Sequence, residues 1–183
     1  MVHAYRDWRG RLVIFDEVDA TLAIEAEIDG CKVPMMHILR GINRRSNFEL
    51  HKEIRGIQSN PGQSQGMGFL QYFPHLPTFL RHVLYLIVEC NPRWMKRTGG
   101  TVGLTSVGMF GTHSGWGLGM RIHSRSVMVG GIAQKPGVVD GCIVPREYLD
   151  VTLSFDHNIV DGAPAARFAQ KFSELIEDGF GFD

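Results

Sequence analysis

In the last third of the chain, the dipeptide Asp140-Gly141 favours folds that contain a β-hairpin. Aspartate followed by glycine is a strong signal for a tight hairpin turn, because the turn needs a positive φ angle at both positions. Apolar and β-branched residues around it predict strands over 126–133 and 138–144, the second broken by the dipeptide, and a further strand over 148–155. This part of the chain is therefore expected to form antiparallel sheet.

Further strands are predicted from short apolar runs at four other places: 11–18, 21–28, 33–39 and 101–107. Strands outnumber helices, and tight turns join several of them. The predicted fold class is therefore α+β, with a mostly antiparallel mixed sheet and helices on one side. A length of 183 residues fits one domain spanning 1–183.

Two helices have clear boundaries. Ser46 and Glu49 have the spacing of a capping box, in which each residue hydrogen-bonds the other's backbone, and a helix is predicted over 47–58. Near the end of the chain, apolar residues at helical spacing predict a helix over 165–176, and Gly179 is its expected stop.

The most apolar segment, residues 76–88, also has helical periodicity. Arg81, His82 and Glu89 interrupt it, and its apolar run is far shorter than the roughly 20 residues that a bilayer requires. We expect a buried or interface helix, with interfacial membrane contact as the alternative.

Composition excludes several classes of function. The 19 basic residues balance the 19 acidic ones, so no charge excess favours nucleic acid as a partner. Three widely spaced cysteines, Cys31, Cys90 and Cys142, predict neither a disulfide framework nor a zinc site, and the chain's start lacks a signal peptide. We expect a cytoplasmic protein. His113 and His123 lack metal-ligand spacing, so no metal is expected.

The strongest candidate for a catalytic residue is His157, which lies just after the predicted strand 148–155. An imidazole with an ordinary pKa near 6.5 can take a proton from a thiol or alcohol at neutral pH. Asp161, four residues later and before a glycine, can fix the turn that orients the imidazole. Taken alone, this pattern is more typical of a structural turn than of catalysis.

The wider sequence resembles a known family in four ordered blocks. Residues 153–168, LSFDHNIVDGAPAARF, are similar to a signature with the pattern D-H-R-x-x-D-G-A. Residues 100–111, GTVGLTSVGMFG, resemble the block G-T-F-T-I-S-N-L-G-x-x-G, and 129–141 and 19–55 resemble further blocks. The family is the catalytic domain of the 2-oxo acid dehydrogenase dihydrolipoamide acyltransferases, within the chloramphenicol acetyltransferase-like superfamily. Asn158 stands where the family has arginine.

The resemblance implies acyl transfer between coenzyme A and a thiol such as dihydrolipoamide, with coenzyme A or acyl-CoA as a substrate. His157 would be the general base, its other ring nitrogen held by a local carbonyl, and Asp161 would belong to the same turn. Thr105, aligned with the family's serine, would donate a hydrogen bond to the oxyanion, with Ser106 as the alternative. In the family these groups come from different subunits, which implies a homotrimer or a multiple of three.

The resemblance also implies a two-layer sandwich of the chloramphenicol acetyltransferase-like type. The family's opening helix and first strand have no counterpart before Tyr5, and no lipoyl domain or lipoyl attachment site is expected in this chain. A lipoyl domain on another chain, or a missing N-terminal piece, is therefore a possible partner. The alternative function is a catalytically inactive oligomeric scaffold derived from the same fold.

Overall fold

The computed structural model describes residues 3–28, 30–64, 75–108, 115–118 and 123–181. Its strands are β1 (Ala4–Arg6), β2 (Leu12–Ile14), β3 (Ala20–Ile28), β4 (Cys31–Leu39), β5 (Val102–Ser106), β6 (Arg125–Val139) and β7 (Cys142–Phe155). Its α-helices are α1 (Asn47–Ser59), α2 (Thr78–Glu89), α3 (Pro92–Gly99) and α4 (Gly162–Glu177). Within these ranges, no helix has both the length and the apolar character needed to cross a bilayer.

The main sheet has five strands in the order β4-β3-β5-β6-β7, and β1 and β2 form a separate antiparallel pair. The long pairings, β3 with β4 and β6 with β7, are antiparallel. The central strand β5 makes short parallel pairings with β3 and β6. The expected α+β class and mostly antiparallel mixed sheet are confirmed.

Two helices cover the same face of this sheet. Paired residues point to the same side, and one such row crosses all five strands: His37, Leu22, Leu104, Val127 and Leu153. His37 contacts Glu53 of α1, and Phe155, two residues after Leu153, packs edge-to-face on Phe168 of α4 with ring centroids 5.6 Å apart. The sheet and these helices therefore form the expected two layers.

The hairpin turns at Asp140-Gly141 as predicted, with φ angles of 50° and 78°. The predicted division into strands 126–133, 138–144 and 148–155 is wrong, because β6 and β7 are each continuous. Pro136 lies opposite Pro145, so the residues that suggested breaks remove hydrogen-bond donors at the same level of the ladder. Among the described residues, no third strand pairs with the hairpin beyond Val129. We call residues 132–149 the hairpin arm.

Capping accounts for the observed helix boundaries. The Ser46 and Glu49 capping box is present at the start of α1, and Gly179 has a φ of 66° after α4. Helix α3 was not predicted, although Asn91 caps it with its side chain and Pro92 occupies its first position. Its eight residues are too few for a clear apolar period.

The apolar helix α2 forms as predicted, but none of its residues is buried in the chain, and Phe79 is 71% exposed. It packs against α3 and leaves an apolar face uncovered among the described residues. Burial within the chain is therefore the wrong part of that prediction, and an interface role stays a prediction.

The predicted strand 11–18 is shorter than expected, because β2 ends at Ile14. Asn43 donates a side-chain hydrogen bond to the carbonyl of Asp16, and Arg44 pairs with Glu17 at 3.0 Å. These contacts take the backbone away from the β1 and β2 ladder.

Candidate active site

His157 lies in a tight turn between β7 and α4. Asp156 Oδ1 accepts hydrogen bonds from both the backbone and the side-chain nitrogen of Asn158, and its backbone carbonyl accepts from Ile159 and Val160. The Asp156 amide donates to the carbonyl of Ser124, which fixes the turn to the start of β6. Asn158, the departure from the family pattern, therefore stabilises the turn.

The imidazole faces solvent beside a carboxylate. His157 Nδ1 lies 3.8 Å from Asp161 Oδ1, and the two side chains are 83% and 85% exposed. That distance exceeds a hydrogen bond. Asp161 precedes α4 without capping it through its side chain. The resemblance implies that a local carbonyl accepts a hydrogen bond from the second ring nitrogen. Among the described residues no carbonyl does so, and the neighbour of the imidazole is the Asp161 carboxylate.

Thr105 and Ser106 lie at the end of β5, where β3 and β5 separate. The two strands pair only from Ala20 and Val102 to Leu22 and Leu104. Beyond that point they diverge and open a cleft of about 460 Å³, which we call the β3–β5 cleft. Both hydroxyl residues line it. Because neighbouring strand residues point to opposite faces, Ser106 lies on the helix-covered side and Thr105 on the other.

The remaining wall of the β3–β5 cleft comes from β3, β4 and α1. Its apolar residues are Leu22, Ala23, Ile24, Pro34, Ile54 and Val107. Glu25 and Lys32 form an ion pair of 2.9 Å in this wall, and Gln58 adds a neutral amide. The cleft is thus apolar along much of its wall, with paired charges.

The structure does not bring Thr105 and His157 together within one chain. Thr105 is level with Met128 on β6, which is level with Thr152 on β7. His157 lies five residues further along the chain. With strands about 4.8 Å apart and about 3.3 Å per residue, the two main-chain positions are separated by roughly 15 Å or more. The imidazole and the hydroxyl of one chain therefore lie too far apart to act on the same thiol and thioester.

Two glycines of the 100–111 block are required by the backbone. Gly100 has a φ of 68°, a conformation that strains other residues. A Cβ at Gly108 would lie 2.0 Å from the carbonyl oxygen of Gly130 on β6. Glycine at 108 therefore lets the chain pass directly over β6 just after Thr105 and Ser106.

A partly buried network that sequence analysis did not find joins β4 to α1. His37 Nε2 lies 2.9 Å from Glu53 Oε1, and Arg45 pairs with the other carboxylate oxygen at 2.6 Å. His37 Nδ1 lies 3.2 Å from Ser64 Oγ. Burial opposes ionisation of Glu53, but hydrogen bonds from His37 and Arg45 outweigh it and lower the carboxyl pKa. No local motif signals this network, because its members come from separate elements.

Glu53→Gln is expected to destabilise the fold by about 1 to 3 kcal/mol at pH 7, because it weakens charge-assisted hydrogen bonds in a partly buried site. Since the folded-state pKa of Glu53 is lowered, this stabilisation is present above the ordinary value of 4.5 and is lost as the pH falls through the folded-state value. Urea unfolding at several pH values measures the difference. The exposed Glu89→Gln serves as the control. A difference that grows at low pH would contradict the assignment.

Among the described residues, no group of histidine, cysteine and acidic side chains could hold a metal ion. His123 Nε2 instead hydrogen-bonds the carbonyl of Gly99, and burial lowers the pKa of its imidazole. His113 lies outside the described residues.

Residues 93–180, which include Thr105, the hairpin and His157, match the model of the 2-oxoacid dehydrogenases acyltransferase catalytic domain. The match covers 88 of the 183 residues, slightly under half of the chain. Both halves of the candidate site, the end of β5 and the turn after β7, therefore lie in the part of the chain that the family model covers.

Relatives with different acyl groups in their names match a similar length of chain. The succinyltransferase component of the 2-oxoglutarate dehydrogenase complex of Saccharomyces cerevisiae is 33% identical over 81 residues, which are 44% of this chain and 18% of that protein. The lipoamide acyltransferase component of the branched-chain complex of Pseudomonas putida is 36% identical over 80 residues, 44% of this chain and 19% of that protein. The aligned segments thus span about a fifth of these relatives.

Solved structures of acetyltransferases share the fold over nearly the whole chain. Dihydrolipoamide acetyltransferase of Azotobacter vinelandii, solved to examine a serine, a histidine and an asparagine in its catalytic mechanism, has a TM-score of 0.64 at 19% identity. The match covers 96% of this chain and 60% of that chain. A probable acetyltransferase of Listeria monocytogenes has a TM-score of 0.65 at 18% identity, covering 97% and 62%. The expected chloramphenicol acetyltransferase-like fold is confirmed.

Proposed function

We propose that this protein is an acyltransferase that moves an acyl group between coenzyme A and a thiol such as dihydrolipoamide. The observation that carries the proposal is the spacing of three residues. In the Azotobacter enzyme, the serine and histidine studied are separated by the same number of residues as Thr105 and His157. The asparagine lies four positions after that histidine, as Asp161 does after His157.

His157 is the general base in this proposal. Its exposed imidazole can meet the thiol of either substrate, take the thiol proton as sulfur attacks the acyl carbonyl, and return a proton to the departing thiolate. Asp161, whose Oδ1 lies 3.8 Å from Nδ1 of the imidazole, is the proposed positioning residue of the same turn.

Thr105 is the proposed oxyanion donor, and Ser106 is the alternative. Attack on a thioester places negative charge on the carbonyl oxygen, and a positioned hydroxyl stabilises that charge more in the transition state than in the ground state. Both hydroxyl residues line the β3–β5 cleft, which therefore provides the acyl-group side of the site.

The separation of Thr105 from His157 supports a site shared between copies. We propose a homotrimer, or a multiple of three, in which the base of one subunit faces the cleft of the next. Exposed apolar residues offer contact surface at two places, α2 and the hairpin arm, where Val138 is 72% and Ile143 77% exposed. The cubic core of a pyruvate dehydrogenase complex is among the similar structures, with a TM-score of 0.62.

The test measures acyl exchange between acyl-CoA and free dihydrolipoamide by the purified chain. We expect exchange, together with thermal stabilisation by acyl-CoA. A ligand at 100 times its Kd adds about 2.7 kcal/mol, which corresponds to roughly 5 °C or more for a chain of this size. If neither exchange nor stabilisation occurs at acyl-CoA concentrations above about 1 mM, the proposal is wrong, and the inactive oligomeric scaffold is favoured.

A further inference from the structure

We propose that the acyl group transferred at this site is neutral and apolar, rather than one that carries a free carboxylate in addition to the thioester carbonyl. This inference rests on the proposed function and adds its substrate class. It is carried by the side chains that line the β3–β5 cleft beside the two candidate oxyanion donors.

The shape and lining of the cleft fit an uncharged carbon chain. Ile24 is buried in the sheet and forms a fixed wall, and Ile54 of α1 extends the apolar lining. A volume of about 460 Å³ is within the range of small-molecule sites, so a short or branched acyl chain fits beyond the thioester carbonyl. Contact with such a chain removes apolar surface from water on both sides.

The charges of the cleft wall oppose a dicarboxylic acyl group. Among the described residues that line it, the charged ones are Glu25 and Lys32, and they are paired at 2.9 Å. The hydrogen bond and charge of Glu25 raise the pKa of Lys32, so the ammonium group is engaged with that partner. An incoming carboxylate would meet the like charge of Glu25 and would have to compete for Lys32.

The neutral donors in the cleft do not replace a free cation. Thr105 or Ser106 is needed for the oxyanion, and Gln58 supplies an amide. A carboxylate leaving water requires several hydrogen bonds or an opposite charge, whereas an alkyl group requires neither. The described lining therefore disfavours acyl groups that carry a carboxylate, because it offers that carboxylate no unpaired cation.

The experiment compares isobutyryl-CoA with succinyl-CoA as acyl donors to dihydrolipoamide, using the full chain. We expect kcat/KM for isobutyryl-CoA to exceed that for succinyl-CoA by about tenfold or more, the ratio that one lost charge pairing of about 1.4 kcal/mol produces. Glu25→Gln frees Lys32 and should shift the ratio toward succinyl-CoA. Glu89→Gln, at an exposed position of α2 outside the cleft lining, should not shift it.

Gln58→Arg provides a second variant if Glu25→Gln folds poorly, because it adds a cation to the cleft from α1. It should also shift the ratio toward succinyl-CoA. Transfer from both donors with succinyl-CoA equal or preferred would overturn the inference and leave the proposed function standing. An unchanged ratio in both folded variants would overturn it as well. If neither donor supports transfer, the proposed function itself is wrong, and the inference with it.

Discussion

Replacing His157 with alanine is expected to lower the rate of acyl transfer by about 10² to 10⁴-fold, the usual effect of removing a positioned general base. The fold should be unaffected, because the side chain is 83% exposed to solvent. Rates are measured with acyl-CoA and dihydrolipoamide. His51→Ala, at an exposed position of α1, is the matched control and should keep full activity. An unchanged rate in His157→Ala would exclude this residue as the base.

Mixing two inactive variants is expected to restore activity. In a cyclic trimer, Thr105→Ala subunits still supply His157, and His157→Ala subunits still supply Thr105. Random exchange of equal amounts should therefore restore about a quarter of the sites, because each site needs one particular variant on each side of a closed heterologous interface. Each variant alone should lose about 10²-fold or more.

Light scattering and the Ser106→Ala variant complete this test. Wild-type particles should contain three chains or a multiple of three, and a particle of 20.5 kDa at micromolar concentration would contradict the assembly. Mixtures that stay inactive after demonstrated subunit exchange would place the complete site within one chain. If Ser106→Ala loses activity and Thr105→Ala does not, the oxyanion donor is the alternative hydroxyl.

The elements that sequence analysis located well are those with local stop and start signals. The capping box at Ser46 and the turn at Asp140-Gly141 act through neighbouring residues, so their spacing is visible in the chain. The lengths of β6 and β7 were missed because the prolines at 136 and 145 are tolerated at a level of the hairpin where no third strand pairs with it in the described part of the chain. Helix α3 was missed because it is short.

The candidate site likewise contains residues that the sequence predicts and contacts that it does not. His157 and Asp161 are four residues apart, so sequence shows their relation, and the block resemblance supplied Thr105. The pairing of Glu25 with Lys32 beside Gln58 depends on how β3, β4 and α1 meet. Local patterns contain no such distances. They also did not show that the base and the hydroxyl lie far apart along the sheet, which is what makes a second copy necessary for the proposed chemistry.

The hairpin arm has a consequence for how the folded state is maintained. A two-stranded ribbon is marginally stable in water by itself, and this one exposes Val138 and Ile143. The residues that would normally shield such side chains are not among its own neighbours in the described chain. In the proposed assembly, this exposed face would pack on another subunit, and the stability of the ribbon would then depend on the concentration of the protein.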